Sequence, residues 1–74
     1  MKITVYYHDK KSGSKGTFKY DAYAIKCGTA RQVIGEDDAR GNGLPLNAPL
    51  VQIRMNDGGT ATFDANNVTI MLPQ

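Results

Sequence analysis

Leu50-Val51-Gln52-Ile53-Arg54-Met55-Asn56-Asp57-Gly58-Gly59-Thr60-Ala61-Thr62-Phe63 reads as two strands joined by a tight turn, and the parity of that turn decides the fold. Residues facing each other across an antiparallel pair share a face of the sheet. An even loop, Asp57-Gly58, sets Met55 opposite Thr60 and Ile53 opposite Thr62, mixing apolar with hydroxyl side chains. An odd loop, Asp57-Gly58-Gly59, sets Met55 opposite Ala61, Ile53 opposite Phe63 and Val51 opposite Ala65, and one face becomes wholly apolar. The spacing therefore predicts a three-residue turn with Gly59 at positive φ, the region glycine enters without steric cost.

Downstream, Asp64-Ala65-Asn66-Asn67 is a run of short polar side chains that bond their own backbone and favour a tight turn. Val68-Thr69-Ile70-Met71-Leu72 then alternates until Pro73. A hairpin, one tight turn and a short closing strand resembles the C-terminal end of SH3-like small barrels, in which a 3₁₀ turn joins the fourth strand to the fifth. The likeness covers the last third of the chain and implies a small curled barrel. The chain departs from true SH3 domains in having no tryptophan and no acidic run in the loop after its first strand.

Upstream, Lys2 to Tyr7 alternates, with Ile3, Val5 and Tyr7 on one face and Lys2, Thr4 and Tyr6 on the other. His8 to Gly16 is a basic, glycine- and serine-rich loop. Thr17 to Cys27 alternates again, with Phe18, Tyr20, Ala22 and Ala24 on one side and Lys19, Asp21, Tyr23 and Ile25 on the other. This second strand outruns the first, so it is expected to bend and give its C-terminal half to a different neighbour. Thr29 to Ile34 fits either a strand or one helical turn opened by Thr29 and Gln32; the glycines at 28 and 35 favour the strand. Gly35 to Ala48 carries no period and reads as loop, with Leu44 and Leu46 folding back to cap the open end of the core.

The expected fold class is therefore all-β: a small curled antiparallel sheet of about five strands, an SH3-like barrel, with an α+β arrangement carrying one short helix near residues 29–35 as the alternative. The expected core is Ile3, Val5, Phe18, Tyr20, Val33, Val51, Ile53, Met55, Phe63, Val68 and Ile70. Seventy-four residues make one domain, near the size at which a single core barely outweighs chain entropy. The longest apolar run is far short of the about 20 residues that span a bilayer, and the N-terminus lacks the apolar stretch of a signal peptide. No membrane partner and a cytoplasmic location are expected.

The inventory for catalysis is thin. Cys27 is the lone cysteine, read as a small buried thiol; His8 is the lone histidine, read as a solvated loop residue. Ser12 and Ser14 lie in the basic loop with no evident base beyond His8. Glu36-Asp37-Asp38 fails the calcium-loop pattern, because Arg40 and Pro49 fall on ligand positions, and reads as a solvated acidic loop. The glycine pairs at 13 and 16 and at 41 and 43 do not sit between a strand and a helix, so neither is a phosphate cradle. No enzyme activity, metal or cofactor is expected.

Charge is uneven. Residues 1–26 carry six lysines against Asp9 and Asp21, whereas residues 27–74 carry three arginines against five acids. Five of the six aromatics share the basic part. Two partners from different classes follow. A protein partner is favoured, docked through exposed tyrosines, Arg54 and a sheet edge, as in small accessory or inhibitor proteins of the phage or plasmid type. The alternative is nucleic acid, with Lys10, Lys11, Lys15 and Lys19 on phosphates and Tyr6 and Tyr23 stacking on bases. A homodimer through an exposed edge strand is a third route to completing so small a core.

Overall fold

The computed structural model describes residues 1–34 and 44–73. The expected loop at residues 35–43, with Glu36-Asp37-Asp38, lies outside the described residues. Five strands form one antiparallel sheet: β1 (Lys2–His8), β2 (Lys15–Thr29), β3 (Pro49–Met55), β4 (Thr60–Asp64) and β5 (Val68–Met71), in the order β4-β3-β2-β1-β5. One helical turn, α1 (Ala30–Val33), follows β2, and a 3₁₀ turn (Ala65–Asn67) joins β4 to β5. The fold is thus all-β. The sheet curls around its core, but its two outer strands, β4 and β5, do not bond to each other, so it does not close into a barrel.

The bend expected in the second strand is real and has a specific cause. Residues 15–21 of β2 pair with β1, and residues 22–29 pair with β3. Between Ala22, opposite Met55, and Ala24, opposite Arg54, Tyr23 is an additional residue: a β-bulge. A bulge re-phases a strand as well as bending it. Past it, Ile25 stands opposite Ile53 and packs on the core. The uninterrupted alternation expected along this strand, which placed Ile25 outward, is corrected accordingly.

Two buried clusters result. The larger is Ile3, Val5, Ala22 and Ile53, with Tyr20, Ile25, Ala61, Phe63, Val68 and Ile70 packed against it. The smaller, on the other side of β3, is Ala30, Ile34 and Leu50 with Val33, Leu44 and Leu46. Leu44 and Leu46 therefore cover a second cluster instead of capping the first. β3 is buried on both faces, because Leu50 faces one cluster and Ile53 the other. Phe18, expected inside, is 39 % exposed.

Residues 29–34, favoured as a strand with a short helix as the alternative, contain the short helix Ala30–Val33. Gly28 makes this possible: a Cβ there would lie 2.6 Å from Val33 Cγ2, so only glycine lets the turn fold back onto β2. Ala30 N donates to the Ala48 carbonyl at 3.1 Å and Ile34 N to the Ala30 carbonyl at 3.2 Å. Thr29 makes no side-chain cap, so the expected capping pair is not used. Apolar burial of Ala30 and Ile34 against Leu50 carries the turn.

The β3–β4 hairpin has an odd loop, as parity requires, but one step earlier than expected. The loop is Asn56-Asp57-Gly58; Gly58, not Gly59, has positive φ (94°). Val51 faces Phe63 and Ile53 faces Ala61, and the apolar face survives because the shift preserves parity. Gly58 N donates to the Met55 carbonyl at 3.0 Å, Met55 N to the Gly59 carbonyl at 2.9 Å, and Gly59 N to Asp57 Oδ1 at 2.8 Å. Asp57 thus fixes the amide that the alternative register would have needed in the loop. After β4, Asp64 Oδ1 accepts from Asn66 N at 2.9 Å, opening the 3₁₀ turn in the way its short polar side chains suggest.

Candidate binding groove

At one end of the sheet the core face opens to solvent between the β1–β2 turn and the 3₁₀ turn. β1 contributes Tyr7 there, β2 contributes Phe18, and β4 contributes Phe63. Phe63 is the hub: its ring centroid lies 6.1 Å from Tyr7, 5.8 Å from Phe18 and 6.4 Å from Tyr20, within the range of favourable aromatic pairs. Phe18 stacks nearly parallel to Tyr20 at 6.2 Å. The Phe18 ring leans back over Gly16, where a Cβ would come 3.1 Å from its Cζ. The missing side chain at position 16 therefore leaves room for the Phe18 ring in the mouth of the sheet.

Tyr7, Phe18 and Phe63 floor a groove of about 820 Å³. Its walls are the Lys10 and Lys11 turn on one side, Leu44 and Pro45 on a second, and Asn66 and Asn67 of the 3₁₀ turn on a third. A smaller hollow of about 280 Å³ continues past Asn66 and Asn67 toward Tyr6, His8 and Thr69. Two carboxylates line the groove, and both serve the backbone. Asp9 Oδ1 accepts from Lys11 N at 2.9 Å, and Asp64 caps the 3₁₀ turn. The Lys11 backbone N–H, then the Ser12 hydroxyl, hold the Asp9 carboxyl below its ordinary 3.8. Burial pushes the Tyr20 phenol up. A flat aromatic floor with amide and ammonium groups on the rim can bury an apolar side chain while bonding the polar groups beside it.

The residues expected to make contacts are not one site. Lys10 and Lys11 stand on the groove rim. Tyr6, Lys15 and Lys19 lie on the opposite, outward face of β1 and β2, because Tyr6 pairs with Thr17, His8 with Lys15 and Thr4 with Lys19. Tyr23 occupies the bulge and is 62 % exposed, next to the residue that faces Arg54. Arg54 is half-buried; its Nη2 donates to Gln52 Oε1 at 3.3 Å, while its Nε is buried without a hydrogen-bond partner. Cys27, expected buried, is exposed. It stands opposite the buried Val51, so the pairing register does not account for its exposure.

Tyr7 and the asparagines at 66 and 67 are groove residues that sequence reasoning passed over, and Phe18 and Phe63 were assigned wholly to the core. The available signal was positional: aromatic residues on the core face at strand ends lie where the sheet opens. Among the described residues no helix is long and apolar enough to cross a membrane, and no three His, Cys, Asp or Glu side chains gather into a metal site. Comparison with protein-family models, curated proteins and solved structures finds no significant match to this chain.

Proposed function

We propose that this chain is a non-enzymatic binding module that takes an extended segment of a protein partner into the aromatic groove. The observation that carries the reading is the exposure of Phe18 on a floor shared with Tyr7 and Phe63. A phenyl ring left at the open end of a small sheet forgoes burial that the fold needs, unless a ligand supplies it. The rim suits a peptide, since the Asn66 and Asn67 amides can bond an extended backbone and Lys10 and Lys11 can bond carbonyl or carboxylate oxygens. An accessory or inhibitory role on a larger assembly is consistent with a ligand of this kind.

The test is selection from a displayed library of random linear peptides against the intact protein, counter-selected on Phe18→Ala. Enriched peptides should shift the amide resonances of Tyr7, Phe18, Phe63 and Asn67 and lose at least tenfold in affinity on Phe18→Ala. Enrichment of nothing above the Phe18→Ala background would overturn the proposal. So would binders whose shifts fall wholly outside the groove.

A further inference from the structure

The outward face of β5, β1 and β2 is a second surface, centred on Tyr6 on the side of the sheet away from Phe18 and Phe63, and it shares Tyr7, Lys10, Asn66 and Asn67 with the groove. The register fixes its composition. Tyr6, 50 % exposed, sits at its centre between Thr17 of β2 and Thr69 of β5. Lys19 lies beside Thr4, Lys15 beside His8, and Lys2 beside Asp21. Asp21 is the acid on this part of the sheet, and its carboxylate is engaged by the N-terminal ammonium at 3.2 Å. Met71, 51 % exposed, stands opposite Thr4 and extends the apolar patch around the tyrosine. The result is an aromatic ring with small neighbours, framed by lysines spaced along two strands. Beside the ring opens the 280 Å³ hollow lined by His8, Lys10, Asn66, Asn67 and Thr69.

We infer that this face binds single-stranded nucleic acid, with a base stacked on Tyr6 and directed into the adjoining hollow, and with Lys10, Lys15 and Lys19 on the flanking phosphates. Charge complementarity favours a polyanion. The exposed ring with small neighbours on either side favours one whose units present flat apolar faces. The hollow favours a single strand, since a base must leave its partner to enter it, and the Asn66 and Asn67 amides stand where base edges would lie. Lys15 and Lys19 are four residues apart on one strand, about 13 Å along it, a span that an extended strand covers in a few nucleotides.

The experiment is fluorescence anisotropy with a labelled oligothymidine single strand, a duplex of equal length and dextran sulfate as probes. The single strand should bind saturably at 50 mM salt. Three phosphates neutralised predict a log–log salt slope of about −2, hence about 16-fold weaker binding at 200 mM. Tyr6→Ala should weaken binding about tenfold without changing that slope, and Tyr6→Phe should restore it, because stacking needs the ring and not the hydroxyl. Lys15→Gln with Lys19→Gln should weaken binding and flatten the slope. All three positions are exposed, so the variants should keep the wild-type circular dichroism and melting temperature. Absence of saturable single-strand binding at 100 µM protein would overturn the inference. So would equal affinity for dextran sulfate or duplex, or indifference to Tyr6→Ala. Phe18→Ala, the variant expected to weaken peptide binding in the groove, should leave oligonucleotide binding unchanged, so the two proposals fail separately.

Discussion

Ile25 stands directly opposite Ile53, because Tyr23 is an extra residue in β2 between Ala22 and Ala24. Unbroken alternation from Ala22 would have placed Ala24 there and turned Ile25 to solvent. The bulge lets one strand serve two neighbours, and the two ends of the sheet then curl around Ile3, Val5 and Ile53.

Ile25→Ala should consequently destabilise the protein by about 2 kcal/mol, and Ile53→Ala, fully buried, by about 2–5 kcal/mol. Urea unfolding followed by circular dichroism measures both. A loss within about 0.5 kcal/mol for Ile25→Ala, the behaviour of a surface position, would contradict the inward placement.

The turn register can be read from two neighbouring glycines. Gly58→Ala forces a Cβ into the left-handed region at φ 94° and should cost about 1–2 kcal/mol. At Gly59, whose φ is not positive, an added Cβ meets Asp57 Oδ1 at 3.0 Å and Met55 Cε at 3.9 Å, side-chain atoms instead of backbone, and Gly59→Ala should cost less. Thermal melts separate them, since about 1 kcal/mol moves the midpoint of a domain this size by about 4–8 °C. The reverse order would restore the register with Gly59 in the loop.

Gly28 and Val33 form a steric pair. Gly28→Ala places a Cβ 2.6 Å from Val33 Cγ2 and should cost about 1–3 kcal/mol by overpacking. Val33→Ala removes the obstructing methyl. The double variant should therefore be more stable than the sum of the single losses, with a coupling of at least about 0.5 kcal/mol. Additive losses would mean that α1 does not pack on β2 in this way.

Asp9 makes the groove-side turn sensitive to acid. Its folded carboxyl titrates below the ordinary 3.8, chiefly through the Lys11 N–H, so the ordering it provides is present above the unfolded value. That ordering is lost as pH falls through the lower, folded one. The protection of the Lys11 amide, its exchange rate relative to an unstructured chain at the same pH, should fall across that acid window, whereas in Asp9→Ala it should be low throughout. Protection at Lys11 that does not change across the window in the native sequence would refute the contact.

Much of this fold is legible in order along the chain. Alternation in Lys2 to Tyr7 and in Val68 to Met71 placed two strands. The parity of Leu50 to Phe63 placed the hairpin and its apolar face, and the excess length of the second strand announced a bend. Parity tolerates a two-step slip in the pairing, however, and so did not distinguish Gly58 from Gly59 at the left-handed position. Strand and helical turn both fit residues 29–34 locally, because the helix rests on a missing Cβ at Gly28 and on contacts with Leu50, and local propensity contains neither.

Amino-acid order alone, then, determined the strand-rich class, the alternating faces and the basic, aromatic character of the N-terminal part, since these depend on a period of two and on composition. Which candidate residues stand together was decided in three dimensions. Tyr6 and Tyr7 are neighbours in the chain but face opposite sides of the sheet, whereas Tyr7, Phe18 and Phe63, far apart in sequence, share one aromatic floor. The physical reason is that the bulge at Tyr23 bends the sheet, and the bend determines where its core face opens to solvent.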